Sequence, residues 1–354
     1  MISRPLIAID IGTSSVKIAE VIGSGSKRKL KTLGLELLPA NTVVNGEVVD
    51  AHQVLKTIRK LIHSLGIKVK GRRVALSMAG LSVIYKRVSL LPDEETDLGE
   101  QVFEEAKQQF HHDMSDMYFR FQEIPSKFSE GAEKTFLIVA GRIDVIEQYI
   151  ELMHGLKMKV GVIDTDAFSL FNVFNFTYPM KESLILLANV GATSTQVIIS
   201  YEGEYLFSRE FFIGGTHITK KIAEDLSIDV NNAEGLKISA SSGDGAIAKK
   251  VLPSIQTVND QINAEIRQTI DFFLEHENIG SFSELNYAFM SGGGSLTLDL
   301  PSSLSAELKC PVQIINPFQK IDPRPTKIDT EYLLSHGAIY AVSVGLGLRK
   351  VKHA

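Results

Sequence analysis

The chain has 354 residues, of which 44% are hydrophobic and 22% are charged, and its formal net charge is −5. This composition is typical of folded globular proteins and excludes a disordered chain. The acidic balance, without any long basic run, disfavours nucleic-acid binding. The length predicts at least two domains, and the single cysteine, Cys310, excludes an internal disulfide.

The N-terminus does not read as a secretory signal, because Arg4 and Pro5 are soon followed by Asp10. Apolar runs elsewhere are shorter than the roughly 18 residues that a membrane helix requires. We therefore expect a soluble protein that is not exported.

The first informative segment, residues 6–21, predicts two apolar strands joined by a turn of glycine and hydroxyl residues. Such a turn directs several N–H and O–H donors toward one point, which suits a phosphate. An acid at the strand end can hold Mg²⁺ through water, and a lysine can reach the phosphates. The candidate residues are Asp10, Gly12, Thr13, Ser14 and Lys17.

A helix with one apolar face follows between residues 50 and 66, and strand 74–78 completes the first α/β unit. Residues 80–156 then change the order to βαββα, which can form its own small layer, so we expect an insertion. Strand 160–164 and an apolar helix over 168–176 return to the first unit.

The segment 184–200 repeats the first hairpin at a constant offset. Asn189 falls on Asp10 and Gly191 on Gly12, while Thr193 and Ser194 fall on Ser14 and Ser15. A repeat at so long a period predicts two duplicated domains that face each other across a cleft.

Later segments add a helix with Glu234 and Lys237, a long amphipathic helix over 254–276, and the glycines Gly292, Gly293 and Gly294 after a strand. Taken alone, the first two residues are more typical of a solvated ion pair, and the glycines of a flexible turn. With the two hairpins they favour nucleotide binding, in which Glu234 and Lys237 contact the ribose and the glycines approach the adenine. Neither a P-loop nor a Rossmann fingerprint is present.

These motifs resemble the actin-like ATPase superfamily of actin, Hsp70, sugar kinases and FtsA, and within it the PilM-like family of type IV pilus assembly proteins. The similarity runs in family order through most of the chain. The segments that carry it are IAIDIGTSSVKIAEV, IDTDAFSLFNVF, NVGATST, IGGTHITKKIAEDL, NAEGLK, MSGGGS and GAIYAVSVGLGLR.

The resemblance implies an α/β fold of duplicated actin-like (ribonuclease H-like) domains with a small βαββα subdomain inserted as in FtsA. The implied organisation is 1–79 (subdomain 1A), 80–156 (inserted subdomain 1C), 157–181 (return to 1A), 182–215 (2A), 216–284 (2B), 285–330 (return to 2A) and 331–354 (a C-terminal helix packing on 1A).

The resemblance also implies ATP or ADP with Mg²⁺ as cofactors, held by the residues given above, and a carboxylate, Asp166, near the attacking water. One position departs from the family pattern, because Asn189 replaces the usual aspartate of the second phosphate motif. Since metal and water positioning dominate phosphoryl transfer, we expect ATP binding with slow or absent hydrolysis.

The implied partner is the N-terminal cytoplasmic segment of a PilN-like inner-membrane protein, bound as an extended peptide in a groove beside the inserted subdomain. Other pilus assembly components are further expected partners. Residues 349–354 are too short for an amphipathic membrane helix, so we expect a cytoplasmic protein attached only indirectly to the inner face of the inner membrane. The alternatives are a small-molecule kinase with Asp164 or Asp166 as base, and an FtsA-like cytoskeletal or cell-division protein.

Overall fold

The first half of the chain is built on a five-stranded mixed sheet. The computed structural model describes residues 5–93, 95–109, 114–129, 131–276, 282, 284–326 and 328–351. The elements of this half are β1 (Ile7–Ile11), β2 (Ser15–Ile22), β3 (Lys29–Leu37), β4 (Val43–Val44), β5 (Glu47–Val48), α1 (Ala51–Ser64), β6 (Arg73–Met78), β10 (Lys159–Thr165) and α4 (Asp166–Thr177). The strand order is β10-β6-β1-β2-β3, with β1 antiparallel to β2 and parallel to β6.

The central strand β1 is buried at all five positions, as expected for a strand covered on both faces. The helix α1 covers one of those faces. It begins where the Asp50 carboxylate accepts a hydrogen bond from the Gln53 N–H, and it buries Val54, Ile58 and Leu61.

Residues between β6 and β10 form a smaller unit with its own three-stranded antiparallel sheet, in the order β7-β9-β8. Its elements are β7 (Val83–Leu90), α2 (Leu98–Gln109), β8 (Met117–Ile124), β9 (Lys134–Arg142) and α3 (Ile143–Gly155). The helix α2 packs Val102 and Ala106 on this sheet. By contrast, α3 packs Tyr149 and Met153 into the core beneath α1. The domain limits derived from the sequence stay a prediction.

The second half repeats the topology of the first. Its elements are β11 (Leu184–Val190), β12 (Thr195–Tyr201), β13 (Glu204–Phe211), α5 (Gly215–Leu226), α6 (Val230–Ser241), α7 (Gly245–His276), β14 (Tyr287–Ser291), α8 (Leu300–Leu308) and β15 (Val312–Ile314). The order β13-β12-β11-β14-β15 matches β3-β2-β1-β6-β10 strand for strand. The predicted duplication is thereby confirmed.

The expectation that the long helix starts at residue 254 is wrong, because α7 begins at Gly245 and contains Pro253. Proline within a helix lacks one N–H donor and normally disfavours continuation. Here Val251 is fully buried in the core of the second half, and this packing holds the turns that precede the proline.

The helices α4 and α10 lie between the two large sheets. The chain reaches α10 (Ala341–Gly347) through α9 (Thr330–His336) and a 3₁₀ turn at Gly337–Tyr340. The approach of α10 to α4 is close enough that a Cβ on Gly345 would lie 1.9 Å from the Ser169 carbonyl oxygen. Residues 352–354 of the predicted C-terminal segment lie outside the described residues. In the described part of the chain, no helix has both the length and the apolar character that crossing a membrane requires.

Candidate functional site

The two predicted hairpins have the same turn geometry. In the first, the Gly12 N–H donates to the Ser15 carbonyl oxygen at 3.0 Å, and in the second the Gly191 N–H donates to the Ser194 carbonyl oxygen at 2.8 Å. The strand registers also correspond, because Asp10 pairs with Lys17 and Asn189 with Gln196. The sequence repeat is therefore a structural repeat.

The turns of the two hairpins face each other. The Thr193 hydroxyl lies 3.3 Å from the Thr13 hydroxyl, although the residues are 180 positions apart in sequence. Both side chains are half-buried, whereas Ser14 is exposed. Hydroxyl groups of the two halves of the chain thus meet at one place, as a ligand with several phosphate groups requires.

The first hairpin carries a charge pair beside its turn. The Lys17 ammonium lies 3.3 Å from the Asp10 carboxylate, and both side chains are largely buried. A Cβ on Gly12 would lie 3.3 Å from the same ammonium. The lysine therefore lies next to the turn, within reach of an anion bound there.

The second hairpin has a neutral pair at the same positions. The Asn189 side-chain oxygen accepts a hydrogen bond from the Ser291 hydroxyl at 3.1 Å, and the Gln196 amide donates to the Tyr85 hydroxyl at 2.6 Å. Sequence reasoning identified Asn189 but missed that Gln196 replaces Lys17. The same constant offset could have shown it.

Asp166 is the first residue of α4 and follows the Thr165 N-cap. Its side chain is partly accessible but is surrounded by protein atoms, and this desolvation, with the charge of Asp10, raises the pKa of its carboxyl to about 8. The nearby Ser77 hydroxyl and the Lys17 ammonium act in the opposite direction. The raised pKa favours the protonated carboxyl at neutral pH, so a minority of the molecules carry the ionised group that can accept a proton.

Asp164, the other acid considered as a base, has a structural role. Its carboxylate pairs with Arg349 and accepts a hydrogen bond from the Thr165 N–H at 2.9 Å. A carboxylate held in this way is poorly placed to take a proton from a substrate, which disfavours the kinase reading.

Glu210, on β13, is a site residue that sequence reasoning missed. Its carboxylate accepts hydrogen bonds from the Ser194 hydroxyl at 2.7 Å and from the Gly80 N–H at 3.1 Å. Burial raises the pKa of this carboxyl, and the two hydrogen bonds act against the increase. The sequence feature that could have indicated Glu210 is the presence of an acid in the strand next to the second hairpin.

Glu234 and Lys237 lie beside the start of α5. The Lys237 ammonium donates to the Gly215 carbonyl oxygen at 3.0 Å and to the Thr219 hydroxyl at 2.9 Å, and it pairs with Glu234 at 2.7 Å. A Cβ on Gly215 would lie 3.7 Å from the Cα of Gly294. The Glu234–Lys237 ion pair thus lies near the glycine turn at residues 292–294.

Two of the three turn glycines are required by packing on β11. Gly292 has a φ of +83°, and a Cβ there would lie 2.3 Å from the Val190 carbonyl oxygen. A Cβ on Gly294 would lie 2.5 Å from the Val190 side chain, whereas Gly293 has free space around it. Their contact with adenine stays a prediction.

The residues around the two turns fit Mg²⁺ held through water and phosphate better than a cage made by protein alone. In the described ranges, no three His, Cys, Asp or Glu residues converge on one metal position. The effect of the Asp10 charge on the pKa of Asp166 nevertheless indicates that the two carboxyl groups are neighbours. Oxygen ligands with retained waters are what Mg²⁺ prefers.

Comparison with known proteins gives one family match and several structural matches. The model of the family described as type IV pilus assembly protein PilM matches residues 8–351. A solved structure described as a PilM-PilN type IV pilus biogenesis complex is 22% identical over 99% of both chains, with a TM-score of 0.85.

Two more distant structures share the fold. The ethanolamine utilization protein EutJ from Carboxydothermus hydrogenoformans is 14% identical over 98% of this chain and 90% of its own, with a TM-score of 0.57. MreB5 of Spiroplasma citri bound to AMPPNP is 12% identical over 97% of this chain and 95% of its own, with a TM-score of 0.52. The predicted actin-like α/β fold is confirmed by these matches.

Proposed function

The chain belongs to the family of the type IV pilus assembly protein PilM, and from this we propose that it is an ATP-binding scaffold of the inner-membrane pilus assembly platform. In this role it lies at the cytoplasmic face of the inner membrane. It binds the N-terminal cytoplasmic segment of a PilN-like membrane protein, and bound nucleotide sets its conformation.

One observation carries the nucleotide part of the proposal, namely the 3.3 Å approach of the Thr13 and Thr193 hydroxyls from the two hairpin turns. ATP would lie between the two turns, with its phosphates on the donors of both hairpins. Its ribose would contact Glu234 and Lys237, and its adenine would lie along residues 292–294. The fold neighbour MreB5, described as bound to AMPPNP, supports this reading.

We further propose that hydrolysis is slow. Bound Mg²⁺ would offset phosphate charge, and Asp10 is the acid that would hold it through water. The second hairpin offers the neutral Asn189 and Gln196 in place of an acid and a lysine. The raised pKa of Asp166 lowers the fraction of molecules with an ionised carboxyl at neutral pH, and this lowers the fraction that can activate water.

The partner segment would bind where the inserted unit joins the first sheet. Here the Asn45–Gly46 turn packs on Ala79 and Gly80, and Arg142 pairs with Glu47. Exposed apolar side chains lie within a few residues of these contacts; they are Val44, Val49, Leu81 and Ile143.

The edge strand β8 begins at this junction, because Met117 pairs with Arg142 and the Ile143 N–H donates to the Asp116 carbonyl oxygen. An extended peptide can add to such an edge through backbone hydrogen bonds. The neighbour described as a PilM-PilN complex supports a peptide of this origin.

Two matched variants test the partner surface. Leu81 and Leu334 are 63% and 64% exposed, but only Leu81 lies at the junction. In a pull-down with a synthetic PilN-like N-terminal peptide, Leu81→Asp should weaken binding by about tenfold or more, as for a residue near the centre of an interface. Leu334→Asp should bind as the wild type does. Equal binding by both variants would exclude the junction.

A further inference from the structure

The second hairpin is connected to the inserted unit by a half-buried acid, Glu210. Glu210 lies on β13, in the second half, yet its carboxylate joins the Ser194 hydroxyl of the second turn to the Gly80 N–H at 2.7 and 3.1 Å. Gly80 is the residue at which the chain enters the inserted unit. One side chain therefore links the proposed phosphate turn to that entry point.

Gly80 is in turn locked to the β4–β5 turn. It has a φ of +70°, and a Cβ there would lie 2.4 Å from the Asn45 carbonyl oxygen. A Cβ on Gly46 would lie 2.1 Å from the Ala79 carbonyl oxygen. Because these backbones are in contact without intervening side chains, a displacement of Gly80 must displace the turn that borders the exposed Val44 and Val49.

The Ser194 hydroxyl has a single proton to donate. It now donates to Glu210, and a phosphate oxygen bound by the same hydroxyl would compete for that proton. The phosphate would remove one of the two donors to a largely buried carboxylate and bring a second negative charge close to it. Both effects raise the free energy of the ionised Glu210 carboxylate in its present position.

We propose that Glu210 is a positioning residue that transmits phosphate occupancy at Ser194 to Gly80, and through Gly80 to the junction where the inserted unit meets the first sheet. This inference rests on the proposed nucleotide function. Phosphate at the second turn weakens the hydrogen bond from Gly80 to Glu210, and the β4–β5 turn is released from its present position.

Amide hydrogen exchange of the full chain, measured with and without saturating ATP, tests this link at Gly80 itself. In the wild type, ATP should accelerate exchange at Gly80 by about fivefold, the change expected for the loss of one hydrogen bond. Glu210→Ala should exchange fast in both conditions. Ser194→Ala, which lacks the contested proton, should exchange at Gly80 at a rate that ATP no longer changes.

Glu204 supplies a matched control, because it lies on the same strand and also reaches the inserted unit, through Arg87 and the Lys127 N–H. Glu204→Ala should accelerate exchange at Lys127 and retain the full ATP response at Gly80. A change in that response would show general loosening of the inserted unit and overturn the role of Glu210.

ATP binding is measured in parallel by calorimetry. If the wild type binds ATP while exchange at Gly80 is unchanged or slower, the inference is wrong and the nucleotide function stands. If Glu210→Ala or Ser194→Ala keeps the wild-type response, the inference is also wrong. If the wild type does not bind ATP, the proposed nucleotide function fails, and the inference fails with it.

Discussion

Replacement of Asp166 by asparagine should stabilise the protein at pH 7 but not at pH 4. Asparagine keeps the shape of the side chain and removes its titration. The carboxyl of Asp166 has a pKa raised from 3.8 to about 8, first by burial and then by Asp10. Between these two values the folded state binds more protons than the unfolded state, so the free energy of unfolding of the wild type falls as pH rises.

The magnitude follows from the same shift. The interval between the ordinary pKa of 3.8 and pH 7 corresponds to at most about 4 kcal/mol, since one pKa unit is worth about 1.4 kcal/mol. Partial exposure of the carboxyl and the nearby Lys17 ammonium reduce this figure. We expect Asp166→Asn to gain about 1–3 kcal/mol at pH 7 and close to nothing at pH 4.

Urea denaturation followed by circular dichroism between pH 4 and pH 8.5 measures the difference directly. Asp164→Asn is the control, because it leaves Arg349 without its carboxylate and should lower stability. A gain for Asp166→Asn that does not vary with pH, or a loss at pH 7, would show that this carboxyl is not held in its protonated form.

Three further substitutions test other parts of the structure. Asn189→Asp restores an acid to the second hairpin and should raise ATP turnover on the order of tenfold, measured as phosphate release; an unchanged rate would mean that the missing acid does not limit hydrolysis. Gly294→Ala brings a Cβ to 2.5 Å from the Val190 side chain and should weaken ATP binding in calorimetry, and undiminished affinity would separate this turn from the nucleotide. Gly345→Ala brings a Cβ to 1.9 Å from a carbonyl oxygen of α4 and should cost about 1–3 kcal/mol or more in urea denaturation, whereas Gly235→Ala, on an open helix face, should gain up to about 1 kcal/mol.

The duplicated architecture could be predicted because apolar strands and turn glycines leave a direct pattern in the sequence. The offset that aligns Asn189 with Asp10 in sequence also aligns their strand registers. Turn geometry is local, so a local motif is enough to specify it.

The connections between distant elements could not be predicted in the same way. Glu210 interacts with Gly80 across 130 residues, and nothing in either segment indicates the other. The start of α7 before Pro253 likewise depends on tertiary packing of Val251, which outweighs the local preference of proline. Both of these features depend on partners that lie on other elements of the fold.

In the proposed scaffold, bound nucleotide sets the affinity for a partner segment. Its most direct test is the affinity of the purified chain for a fluorescent PilN-like N-terminal peptide, measured by anisotropy with and without ATP. We expect specific binding in both conditions, with dissociation constants that differ at least about fivefold, which is a coupling of about 1 kcal/mol. Equal affinities would contradict the coupling, and absence of binding in both conditions would contradict the assignment of the partner.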